Sequence, residues 1–83
     1  MKVWKIYNKS AQKVKIAIRT NNIVTIGLFL EPNQFTLAMP CITKALDAQN
    51  RKGVLEIDEN FDNSYFKLKL GEVHDSGVLE KTV

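Results

Sequence analysis

Four groups of residues have side chains able to do chemistry, and their spacing decides what each is worth. His74, Asp75 and Ser76 are the three residue types of a nucleophilic triad. A triad is made by geometry and a supporting oxyanion site, and three consecutive residues in a glycine-flanked loop seldom converge on one substrate atom. A turn is expected there. Cys41 falls at the start of an expected helix, where the dipole lowers a thiol pKa. With no second cysteine, and with His74 distant in sequence, it is expected to be a small, partly buried side chain. One cysteine excludes an internal disulfide and a cysteine-cluster zinc site, and one histidine cannot complete a histidine-based metal site.

Asp58, Asn60, Asp62 and Ser64 put oxygen atoms at the first, third, fifth and seventh positions of a potential calcium loop. The sixth position is Asn63 where glycine is needed, and the twelfth is Lys69 where a bidentate glutamate belongs. A solvated acidic loop over 58–64 is expected. No catalytic, cofactor-binding or metal-ligating residue is assigned, and the chain is read as a non-enzyme.

The fourth group is electrostatic. Lys2, Lys5, Lys9, Lys13, Lys15 and Arg19 stand in the first 30 positions, which contain no acidic residue, so this part holds +6 and the rest −3 of a net +3. Such a dipole bears on what the surface can touch. Residues 13–19 alternate strictly, with Val14, Ile16 and Ile18 on one side and Lys13, Lys15, Ala17 and Arg19 on the other. Lys5, Lys13, Lys15 and Arg19 are therefore the candidate partner-binding residues, facing protein first and nucleic acid second. Trp4, Tyr7 and Tyr65 supply aromatic rings of the kind that stack on single strands, but no glycine-rich phosphate loop or RNP-like motif accompanies them. Lysines on outward strand positions also serve simply to keep a sheet soluble.

The elements that must position these residues are mostly strands. Residues 2–7, 13–19, 23–30, 35–39, 54–57 and 65–70 are rich in β-branched and aromatic side chains and are bounded by turn-forming clusters, with a weaker last strand over 78–81. Asn21 and Asn22 suit the turn of a hairpin, Gly27 suggests a bulge or a close backbone approach, and Pro40 ends a strand. After Pro40 the period changes. Ile42, Ala45, Leu46 and Gln49 mark one short helix over about 41–51, stopped by Gly53. The fold class is mainly β, a small antiparallel sandwich or partly open barrel of six to seven strands with one helix, in a single domain over 1–83. The expected core is Trp4, Ile6, Val14, Ile16, Ile18, Ile26, Leu28, Phe35, Leu37, Leu46, Leu55, Ile57, Phe66 and Leu68. Lysines interrupt each apolar run near the start, so neither a signal-peptide core nor a membrane span is expected.

The order of these elements, the Leu30-Glu31-Pro32-Asn33-Gln34 turn, the proline-ended strand, the short helix and Lys52-Gly53-Val54-Leu55-Glu56-Ile57 together carry a resemblance. Over most of residues 1–57 the pattern resembles the small accessory structural proteins of tailed-bacteriophage virions, and the segment from Asp58 onward departs from it. The resemblance implies a virion component, made in the host cytoplasm, that binds neighbouring capsid, connector or tail subunits in multiple copies, with no cofactor, small-molecule substrate or membrane. Two alternatives from other classes are a small single-stranded nucleic-acid-binding barrel and a phage-encoded inhibitor of a host protein.

Overall fold

A computed structural model describes residues 2–20, 24–40 and 44–80. Cys41, Ile42, the Asn21 and Asn22 turn and residues 81–83 lie outside the described residues. The elements run β1 (Lys2–Asn8), β2 (Val14–Thr20), β3 (Val24–Leu30), β4 (Gln34–Ala38), α1 (Lys44–Arg51), β5 (Leu55–Asp62), β6 (Val73–Asp75) and a 3₁₀ turn (Ser76–Glu80). They form two antiparallel sheets, one of four strands in the order β5, β1, β4, β6 and one a β2–β3 hairpin, with no closed barrel.

The four-stranded sheet is covered on both faces. On one face Ile6, Ala38 and Leu55 meet Ile16, Ile18 and Leu30 of the hairpin and Leu46 of α1. On the other, Val3, Phe35 and Leu37 are covered by Leu68, Leu70 and Leu79 from the segment after β5. This arrangement explains why β4 buries Phe35, Thr36, Leu37 and Ala38 in succession, where alternation from the sequence expects only every second residue inward. It also explains why Val3, Leu30 and Ala38 belong to the core although they fall outside the expected set. Val14, Ile26, Leu28 and Ile57 are half-buried at its rim.

Several expectations are corrected. Residues 65–70 form no strand, because Lys67 has a left-handed backbone (φ 56°) and Asn63 closes the loop upon itself. Asn63 Nδ2 donates to Leu68 O at 2.8 Å, and its Oδ1 accepts from Leu68 N at 2.9 Å. Leu68 and Leu70 still face the core, while Phe66 is half-buried against Phe61. The sequence places β5 over 54–57 and a loop after it; β5 in fact runs on to Asp62 beside β1, with an irregularity in register between Val3 and Lys5. Residues 78–80 lie in a 3₁₀ turn, and the last strand is β6. The β2–β3 register is continuous through Gly27, so there is no bulge, and a Cβ there would make only ordinary contacts. Of the expected helix contacts, Leu46 is buried and Ala45 is exposed. Gly53, at φ 76°, ends α1 with Gly53 N donating to Asn50 O and Val54 N to Gln49 O.

Candidate interaction surface

The strict alternation of β2 turns Ile16 and Ile18 into the core and leaves Lys15, Ala17 and Arg19 exposed. Antiparallel pairing sets Phe29 beside Lys15, Gly27 beside Ala17 and Thr25 beside Arg19. The outer face of the hairpin is thus three cross-strand rows: a cationic and aromatic row, a row with almost no side chain, and a second cationic row. Phe29 is 54% exposed. Its ring centroid lies 5.0 Å from Lys13 Nζ and 5.9 Å from Lys15 Nζ. Each such contact at an exposed site contributes about 0.5–1 kcal/mol. Lys13 Nζ also reaches Glu31 at 4.0 Å, a solvent-exposed pair that adds little.

Lys13, Lys15 and Arg19 are therefore together, but Lys5 is not with them. Lys5 projects from the opposite face of the four-stranded sheet, where its Nζ lies 5.1 Å from the Phe35 ring centroid and 5.8 Å from those of Tyr7 and Phe61. It is half-buried and serves as a lid on the second apolar cluster. Trp4 is buried at 7% exposure, and the Tyr7 hydroxyl donates to Asn33 Oδ1 at 2.9 Å. Neither ring lies on the hairpin's outer face. Tyr65 is exposed, but it packs edge-on against Phe66 beside the second cluster. Phe29 is the exposed ring of this face, although it is not among the candidate partner-binding residues that the charge pattern marks. Its signal was present, since it is the one large apolar side chain on the polar parity of β3.

The other groups with chemical potential are spoken for separately. His74 Nε2 lies 3.2 Å from Lys69 O, Gln34 Nε2 donates to Asp75 Oδ1 at 3.1 Å, and Ser76 Oγ donates to Asn33 O at 2.6 Å. Three different partners hold the three residues, and β6, a strand rather than a loop, carries the first two. In the acidic stretch Asp58 Oδ1 accepts from Asn60 N at 2.9 Å. Asp62 Oδ1 accepts from the Ser64 hydroxyl and from Ser64 N, and the hydroxyl bond above all pushes the Asp62 carboxyl down from 3.8 to about 2. These are Asx turns that satisfy the local backbone. No group of three or more metal-ligating side chains occurs among the described residues, and none of their helices is long and apolar enough to cross a membrane.

No family model, curated protein or solved structure matches this chain. What the surface offers chemically is a flat, basic strand face with one exposed ring and a low central row. Among the described residues it brings together no group of three or more metal-ligating side chains.

Proposed function

We propose that the chain is a non-enzymatic binding and assembly protein that engages an acidic protein partner through the outer face of the β2–β3 hairpin. The observation that carries this is the exposed ring of Phe29 with Lys13 and Lys15 beside it, on the same strand face as Arg19. Aromatic and arginine side chains at the centre of a patch are those on which interfaces concentrate their energy, and a one-signed rim steers the encounter. The narrower assignment is a structural component of a tailed-phage particle, bound to capsid, connector or tail subunits. It draws on the sequence pattern of residues 1–57, and with it goes residence in the virion.

Single-stranded nucleic acid is the second partner class: the charge suits it and Phe29 offers one ring for stacking, but Trp4 and Tyr7 are not presented beside the lysines. Native mass measured with polyglutamate, and separately with a short single-stranded oligonucleotide, at low and moderate salt, tests the choice. Complex formation with polyglutamate that weakens when Phe29 is replaced by alanine supports a protein partner. A steeply salt-sensitive mass increase with the oligonucleotide alone would sink it.

A further inference from the structure

Two open sheets have four edges, and three of them are protected. β6 closes one edge with only three residues. The β5 edge carries exposed Glu56, Asp58 and Glu59, and its pairing with β1 is irregular in register. The β2 edge is occupied, since Arg19 O accepts from Met39 N at 2.9 Å and Lys15 O from Gln49 Nε2 at 3.3 Å. Short strands, charges, irregular pairing and covering elements are the usual defences of an edge. β3 has none of them: Val24–Leu30 contains no charge, no proline and no break in register, and its far side has no strand partner among the described residues.

Hydrogen-bond parity says which groups that edge presents. The carbonyls of Lys15 and Arg19 point away from β3, so the bonded pairs of the hairpin are those of Val14, Ile16, Ile18 and Thr20. Through the register, Thr25, Gly27 and Phe29 then direct their N–H and C=O groups outward. Their side chains are also the ones on the basic outer face.

From this we infer that β3 is a strand-addition site, and that its occupant is an extended segment of a partner protein in which acidic residues alternate with apolar ones. The inference rests on the acidic-partner reading above and specifies its geometry. A strand added beside β3 stands about 10 Å from β2. Its outer side chains must therefore cross β3 to reach Lys15 or Arg19. Gly27, paired with Ala17, leaves a notch bordered by the Lys15 side chain, whose Cε would stand 3.7 Å from a Cβ at Gly27, and this lets a carboxylate-bearing side chain do so. On the inner side Ile26 and Leu28 are only half-buried, so alternate apolar residues of the added strand would extend the core over them. Charge decides against a second copy, since pairing β3 with β3 would bring two basic hairpins together.

The test uses the whole chain and a capped peptide of alternating Glu and Val about ten residues long, enough to span a strand. Two further peptides carry N-methyl groups on every Glu amide or on every Val amide. In strand addition only one of these two sets of N–H groups faces β3, so one methylated peptide should bind at least about tenfold more weakly and the other much as the parent does. Amide exchange of Thr25, Gly27 and Phe29 should slow in the complex. Equal, salt-sensitive binding of all three peptides would overturn strand addition and leave the basic face standing. Failure of the parent peptide to bind while polyglutamate binds would do the same, and failure of both would remove the acidic-partner reading itself. Protection of those three amides in a dimer without peptide would make the second copy the occupant and overturn the inference.

Discussion

Asn8 is fully buried at the end of β1 and spends its whole side-chain amide on neighbours. Nδ2 donates to Gln12 O at 2.8 Å and to Leu30 O at 2.9 Å, while Oδ1 accepts from Ser10 N at 2.9 Å and Ser10 Oγ at 2.7 Å. One residue thereby fixes the β1–β2 turn against the end of β3. Replacing it with alanine should cost about 1–3 kcal/mol in chemical denaturation, because part-buried carbonyls lose their donors. Aspartate should be worse, since a carboxylate would face Gln12 O and Leu30 O. The second prediction at this scale concerns acid. Because the Asp62 carboxyl is lowered to about 2 in the fold from 3.8, its contribution to stability is fully present above pH 3.8 and is lost as pH falls through 2. An NMR titration should place the Asp62 midpoint near 2 and, in Ser64→Ala, move it upward toward 3.8, because the Ser64 hydroxyl is the largest cause of the shift.

The segment after β5 separates what an element's sequence can reveal from what it cannot. Residues 65–70 alternate as strictly as β2 does, and Leu68 and Leu70 do turn toward the core. Alternation marks which residues are buried, but a backbone folds into a strand only if a neighbour is free to pair, and here the Asn63 clasp and the left-handed Lys67 intervene. Lys67→Gly separates the two descriptions. Glycine relieves a left-handed position and should raise stability by about 0.5–1 kcal/mol in a thermal melt, whereas in a strand interior it would lower it. The hairpin was legible because one of its faces meets water, so its polar and apolar residues sort themselves. β4 was legible only by half, because a strand covered on both sides has no polar parity to read. The basic candidates were likewise visible as residues, but Lys5 shares a charge and not a face with the rest. Which strand lies on which side of a sheet is a property of topology, and no local pattern encodes it.

The molecule as a whole is a sheet sandwiched between a hairpin with its helix and a covering segment of irregular chain. Gly71 is where the cover is fastened. Its N–H donates to Leu37 O at 2.8 Å, it adopts φ 81°, and a Cβ there would lie 2.7 Å from Thr20 Cγ2. The cover thus touches β4 of one sheet and β2 of the other. Gly71→Ala combines a left-handed backbone with a steric overlap and should cost about 1–3 kcal/mol, read as a lower thermal midpoint. Loosened, the cover would expose Val3, Phe35 and Leu37 while leaving the hairpin's outer face unchanged, so loss of stability should precede loss of partner binding.

The two-sided burial of β1 and β4 also has a consequence in time. The residues that cover its second face, Leu68, Leu70 and Leu79, come late in the chain, so until they dock one apolar face of the sheet is bare. β1, made first, must wait for β5 as well, some fifty residues later in the chain, before it gains its second neighbour. Closing the core accordingly waits on the last part of the chain. Before it closes, the unpaired edge of β3 and the bare face of the sheet stand open together.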